Sequence, residues 1–351
     1  MRYVRFLKPP KIEGRQLKAL ITIANDLGDE LLAEHTILYA CLVSNSQPSC
    51  VYVTSTVAWT TYSRAVPVVL ELGEARIQIW PARLYVGVHP QPESDTMNKV
   101  MGNGTIVRQG ILSAYSTTLN PRDGLTIAAP LVERIFTSDA RGCLRLWEES
   151  GESIARHTWD AGVAFAAFVE ATGGCIDSKT LQGTSPQMHK TPLRVIELGS
   201  GTGVVGLSIA KWHPSAMVVL TDRGEAEAII LQNIATNQGL SSKTSFTRLD
   251  WEEELPARVQ ESGDAFDVVV VADCIYNSDT TPFLVQTLVR LVDRSPSAMI
   301  IMTMKIRHPS EAIFFELMRD KGFVEFDHST LPNPPSDDEQ IEMHLFRRGD
   351  A

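Results

Sequence analysis

The stretch Arg194-Val195-Ile196-Glu197-Leu198-Gly199-Ser200-Gly201-Thr202-Gly203-Val204-Val205-Gly206-Leu207 decides how the rest of the chain is read. A short run of aliphatic residues enters a glycine-rich turn and leaves it with helical periodicity, the pattern of a strand–turn–helix unit. Glycines at 199, 201 and 203 let the backbone bend tightly and remove the Cβ atoms that would hold a ligand away. The turn also presents the N–H groups of a helix N-terminus beyond the end of the strand. On its own such a turn is equally a phosphate cradle or a structural bend. Glu197 separates these, because a carboxylate there would repel a pyrophosphate and attract a cationic ligand carrying an amino acid. The expected ligand is therefore S-adenosylmethionine rather than a dinucleotide.

Downstream of this unit the pattern alternates. Ala216 to Thr221, Thr244 to Leu249, Phe266 to Ala272 and Ala298 to Met304 read as strands, and Glu225 to Asn237, Thr281 to Val292 and Glu311 to Lys321 as helices. Phe323 to Phe326 and Ile341 to Phe346 follow as two strands with no helix between them. The expected fold is α/β, a Rossmann-like sheet of seven strands, mostly parallel and closed by an antiparallel hairpin. Upstream, Trp159-Asp160-Ala161 leads into a small-residue-rich helix reaching Val169, with Asp160 placed to cap it. Residues 171–191 carry no pattern and read as a long loop.

Residues 1 to about 85 are β-rich: Leu17 to Ala24, Thr36 to Ser44, Val51 to Thr60, Val66 to Leu72 and Ala75 to Ile79 are aliphatic, β-branched runs broken by turn formers. From His89 to Gly104 periodicity is lost, as in a linker, and Ile106 to Ser113, Leu125 to Ile127 and Leu144 to Trp147 read as short strands. The expected division is a β-rich extension with linker over 1–120 and the α/β domain over 121–351. A net charge of −10 with pI near 5.3 argues against a general nucleic-acid or anionic-membrane surface. Five cysteines without metal-ligand spacing suggest reduced thiols and no metal site, and no apolar run is long enough for a membrane span. A cytosolic or nuclear protein is expected. Oligomeric state leaves no trace in the sequence.

In an open α/β sheet, ligands lie beyond the carboxyl ends of the strands. Asp222 falls about 20 residues after the glycine turn, the spacing at which a carboxylate takes ribose hydroxyls. Asp250 can accept from an adenine amino group while Trp251 offers a stacking face, and Ala272, Asp273 and Tyr276 follow the fourth strand, where an acceptor would arrive. His213, His308 and Cys274 read as turn or structural residues.

Trp159-Asp160-Ala161, Glu197-Leu-Gly199-Ser-Gly201-Thr-Gly203, Leu249-Asp250-Trp251 and Asp273-Cys-Ile-Tyr276, in that order, resemble methyltransferase family 16, the seven-strand, non-SET protein-lysine methyltransferases. The resemblance covers about residues 125–350, and its more specific parts are Asp-x-x-Tyr and Trp-Asp-Ala. It implies that Trp159, Glu197, the glycines, Asp222, Asp250, Trp251 and Ala272 line S-adenosylmethionine. Asp273 and Tyr276 would border the acceptor lysine of a protein substrate, Asp273 orienting the incoming ammonium. Fungal members carry similar N-terminal extensions, and some act on translation elongation factors.

Other readings stay open at this point. A nucleobase amine methyltransferase usually carries Asn/Asp-Pro-Pro-Tyr/Phe after the fourth strand, and Asp273-Cys-Ile-Tyr276 lacks both prolines. A small-molecule acceptor would leave no footprint, and a non-catalytic adaptor could keep the cofactor fold for binding alone.

Overall fold

Among the described residues, ten strands precede the helix Asp160–Ala171. They are β1 (Arg2–Glu13), β2 (Gln16–Ala24), β3 (Thr36–Ser44), β4 (Val51–Trp59), β5 (Val66–Glu71), β6 (Ala82–Gly87), β7 (Ile111–Leu112), β8 (Ala114–Ser116), β9 (Leu131–Ser138) and β10 (Gly142–Glu149). The computed structural model describes residues 1–73, 79–92, 94–97, 110–138, 141–151, 153–174, 191–237, 239, 243–261, 265–331 and 340–349. The expected strand at 75–79 lies, apart from Ile79, outside these, as do residues 175–190 of the expected long loop and 98–104 of the expected linker.

The chain divides into two compact units, Met1–Ser138 with Arg145–His157, and Asp139–Leu144 with Thr158–Ala351. The first holds a four-stranded sheet, β5-β2-β1-β7, and its strands also form a six-stranded sheet, β10-β9-β8-β6-β3-β4. Their apolar faces share a core that includes Leu17, Ile21, Leu38, Leu42, Trp59 and Leu84. Strand β1 was not foreseen, because Lys8-Pro9-Pro10-Lys11 reads as a break in any strand. The β1–β2 ladder accommodates the prolines through register shifts between Phe6 and Lys8 and between Lys8 and Lys11. The short strand expected over Leu125 to Ile127 reduces to isolated bridges at Leu125 and Ile127.

The second unit begins its regular structure with helix α1 (Asp160–Ala171), then β11 (Arg194–Leu198), α2 (Val204–Trp212), β12 (Met217–Asp222), α3 (Glu227–Thr236), β13 (Thr244–Arg248) and α4 (Ala257–Glu261). It continues with β14 (Val268–Ala272), α5 (Thr281–Arg294), β15 (Met299–Lys305), α6 (Ile313–Asp320), β16 (Phe323–Leu331) and β17 (Ile341–Arg348). The strands form one seven-stranded sheet in the order β13-β12-β11-β14-β15-β17-β16. β13, β12, β11, β14 and β15 pair in parallel, and β17 enters antiparallel beside β15 with β16 at the edge. Val268-Val269-Val270-Val271 is buried throughout, as a parallel strand covered on both faces requires. Helices α5 and α6 lay apolar stripes, Leu284, Leu288 and Leu291 on one and Phe314 and Met318 on the other, into a core that includes Ile300 and Phe346. Among the described residues, no helix is long and apolar enough to cross a membrane.

Candidate active site

The sheet order brings the carboxyl ends of β13, β12, β11 and β14 side by side, so residues far apart in sequence share one rim. At its centre is the glycine turn. Gly199, Gly201 and Gly203 take φ of 63°, 55° and 78°, the left-handed region that residues with a Cβ avoid. Space forbids a side chain as well, because a Cβ on Gly199 would lie 2.6 Å from Cys274 Sγ and 3.2 Å from Trp251 Cζ2. Main-chain bonds stitch the turn: Ser200 N–H donates to Thr221 O at 2.9 Å and Gly203 N–H to Ser200 O at 2.7 Å. The Asn233 amide on α3 donates to Thr202 O at 2.8 Å.

Asp222 ends β12, and its Oδ2 accepts from Gly201 N–H at 2.8 Å while Oδ1 accepts from Arg223 N–H at 2.7 Å. Burial pushes its carboxyl above the usual range, against those two bonds. Each oxygen keeps a second lone pair for a ligand hydroxyl. Trp251 is half-buried beside Gly199, and Asp250 turns one oxygen to Glu252 N–H at 3.2 Å. Ala272 closes β14 opposite Thr303 of β15.

Glu197 is 1% exposed, and its Oε2 accepts from Gly206 N–H at 2.9 Å, beneath the first turn of α2. Burial pushes its pKa to about 8, with the nearby Asp222 adding to the rise. At pH 7 the group is therefore mostly a neutral acid. Without a ligand, Glu197 packs against and holds α2; a cation beside it would favour the ionised carboxylate.

The other side of the rim is built from charges. Asp273 sits at φ 54°, strained for a residue with a Cβ and worth about 1–3 kcal/mol of backbone cost. Its carboxylate is fully engaged. Arg307 Nη1 reaches Oδ1 at 2.6 Å and Nη2 reaches Oδ2 at 3.2 Å, while Lys305 N–H and Ala161 N–H donate to Oδ1 and Oδ2 at 3.2 Å each. The Arg307 guanidinium in turn lies 5.5 Å from the centre of the half-buried Trp159 ring. The carboxylate expected to meet an incoming ammonium faces an internal cation instead. Asp160, expected to cap α1, does not: Trp159 is the N-cap residue, and Asp160 Oδ2 meets Lys305 Nζ at 3.1 Å with both side chains at most 2% exposed. Tyr276 is 55% exposed at the rim, so it is no core aromatic, and partial burial pushes its hydroxyl pKa up.

Lys305 and Arg307 were missed by sequence reasoning. Strand-end logic was applied to the first four strands only, although Lys305-Ile306-Arg307 follows the fifth at the equivalent place. His213 is the C-cap residue of α2, and His308 Nδ1 accepts from Ser310 N–H at 3.1 Å, so both are turn residues as expected. Cys274 is buried with its thiol 3.4 Å from Leu198 O, and burial holds its pKa well above the ordinary value.

Counted from β11, the strands lie in the order third, second, first, fourth, fifth, seventh, sixth, and the glycine turn follows the first. That order with that turn defines the class I methyltransferase fold. The chain belongs to the lysine methyltransferase family, whose model matches residues 139–321. It is 26% identical over 327 residues to a UPF0665 family protein of Schizosaccharomyces pombe, covering 89% of this chain and 91% of that one. Protein N-lysine methyltransferase METTL21A of Danio rerio is 30% identical over 203 residues, 57% of this chain and 79% of its own. EEF1A lysine methyltransferase 3 of Xenopus tropicalis is 27% identical over 180 residues, 50% of this chain and 70% of its own. The Schizosaccharomyces alignment covers enough of the chain to run through most of the first unit.

Proposed function

We propose that this protein-lysine methyltransferase draws its methyl group from S-adenosylmethionine and acts on a protein of the translation machinery in the cytosol. The observation that carries the cofactor assignment is the Asp222 carboxylate bonded to Gly201 N–H, at a strand end beside three left-handed glycines. The residues fit a nucleoside with an amino-acid tail. Asp222 would take the ribose hydroxyls and Asp250 the adenine amine, with Trp251 against the base. Gly199, Gly201, Gly203, Glu197, Ala272 and Trp159 would shape the remaining wall. When bound, the cofactor supplies an electrophilic methyl group on a positively charged sulfur.

The chain's own task is to hold a neutral amine in line with that group and to exclude water. A lysine with an ordinary pKa near 10.4 costs about 4.6 kcal/mol to present neutral at pH 7, and apolar surroundings lower that cost. Tyr276 and Ile306, 55% and 54% exposed beyond the ends of neighbouring strands, would supply those surroundings. Asp273 acts in this reading as a positioning residue that fixes Arg307, and Arg307 covers Trp159. The translation-machinery assignment is supported by the relative named for EEF1A. The first unit, approximately the expected 1–120 extension, is proposed to select the acceptor protein, since the family model matches residues 139–321 and leaves Met1–Ser138 outside it.

The test incubates the protein with labelled S-adenosylmethionine and a cell lysate lacking its own copy, then resolves labelled species on a gel. One discrete protein band, weakened with Asp222→Ala at limiting cofactor, is expected. Calorimetric cofactor binding with no labelled protein would favour a small-molecule acceptor or a non-catalytic adaptor instead.

A further inference from the structure

We propose that the closing hairpin carries a divalent transition-metal site of the zinc class, formed by His328 Nε2, Glu342 Oε2 and His344 Nε2 and steadied by Glu325. The argument rests on the register of the last two strands and not on the active-site reading. His328 of β16 pairs directly with His344 of β17, so the two imidazoles leave the same face of the sheet. Glu342, two residues before His344 on β17, returns to that face by the two-residue period of a strand. Glu342 Oε2 lies 3.0 Å from His344 Nε2 and 3.8 Å from His328 Nε2. The three ligand atoms lie within 4.8 Å of one another. Tetrahedral zinc, with bonds of about 2.0–2.2 Å, separates its ligands by about 3.3 Å. Two imidazoles, one carboxylate and an open fourth position form a recognised zinc donor set.

The surroundings are arranged as a metal site requires. Glu325 Oε1 lies 2.9 Å from His344 Nδ1, which favours the ring proton on Nδ1 and would leave the Nε2 lone pair, beside Glu342 Oε2, for an ion. On the buried side, Phe315 meets the His344 ring edge-on at 4.8 Å. The two imidazoles stack at 4.4 Å with planes 11° apart. The His328 side chain is 46% exposed and can turn to aim its lone pair at an ion shared with His344. A bound ion would tie edge strand β16 to β17 at this pair, on the far side of β15 from the glycine turn. The competing arrangement is a metal-free His344 hydrogen-bonded at both ring nitrogens, to Glu325 and to Glu342.

The test uses full-length, tag-free protein stripped with a chelator and titrated with zinc or cobalt(II) alone. One equivalent of zinc should bind by calorimetry and raise the melting temperature. Cobalt(II) should give the intense visible d–d bands of a tetrahedral site without thiolate charge-transfer absorption. His328→Ala, at an exposed position, should fold normally and weaken zinc binding by at least tenfold. Glu325→Gln should weaken it about tenfold, as loss of a ligand-orienting partner does. The proposal is overturned if zinc leaves melting unchanged, if cobalt absorbs only as the aqueous ion, if thiolate bands place the metal on cysteine, or if His328→Ala binds as tightly as the native chain.

Discussion

The two sides of the candidate active site are held together by opposite means. On the cofactor side, the turn from Gly199 to Gly203 is shaped by backbone conformations that glycine alone adopts easily, and its bonds run to the adjacent strand, as from Gly201 N–H to Asp222. On the acceptor side, Asp160, Asp273, Lys305 and Arg307 converge through ion pairs spanning up to 145 residues. The first side is a local structure that a motif can encode. The second depends on the whole sheet being in register. The cofactor side should therefore tolerate loss of one contact, and the acceptor side should not.

The sharpest way to break this contrast is Asp160→Ala, which removes the carboxylate facing the buried Lys305 ammonium. Breaking one half of such a pair costs about 3–5 kcal/mol, so urea unfolding should show a loss of that size. Asp160→Asn with Lys305→Met should recover most of it, and a loss below about 1 kcal/mol would make the pair incidental. Arg307→Ala removes the bidentate partner of Asp273, worth about 1.5–3 kcal/mol for hydrogen bonds between charged groups. Turnover on the protein acceptor should fall at least tenfold while the cofactor dissociation constant stays within a factor of two or so. If cofactor binding falls equally, the two sides of the rim are not separable.

Asp222→Ala should weaken cofactor binding by about 1–3 kcal/mol in calorimetry, the cost of hydroxyl groups losing their partner, with stability nearly unchanged. Unchanged affinity would remove Asp222 from the ligand. The gentlest probe is Glu197→Gln, which mimics the neutral acid. The folded pKa of about 8 stands above the ordinary value of 4.5, so the native state holds a proton that the unfolded chain releases. That stabilisation is complete below pH 4.5 and is lost as pH rises toward 8, at up to about 1.4 kcal/mol per pH unit. Native protein should lose stability across that window relative to the Gln variant, and parallel curves would contradict a buried neutral acid.

What was legible follows the same division. Strands β11, β12, β14 and β15 and their helices announced themselves through apolar runs and periodicity, and the glycine turn through residue type. Trp251 and Asp222 lie within a few residues of those signals, and the structure places both beside the glycine turn. Lys305 was missed, because a lysine after an apolar strand reads as a solvated strand end, and only the fold brings Asp160 to it. The burial of Glu197 was not legible, since a sequence does not report how completely a carboxyl will be desolvated. Strand β1 was hidden by Pro9-Pro10, whose missing N–H groups are tolerated at shifts in the ladder that only the pairing reveals.

The thiol of Cys274, wedged between Leu198 O and the space that a Cβ on Gly199 would fill, has one further consequence. Its neighbours deny it both water and a thiolate, so alkylating reagents should modify the exposed Cys50 and Cys143 quickly and reach Cys274 only when the rim opens. The rate of that slow modification measures how often the end of β14 parts from the glycine turn. A ligand seated on the turn should lengthen the interval, which makes an inert cysteine a timer for the motions of the site.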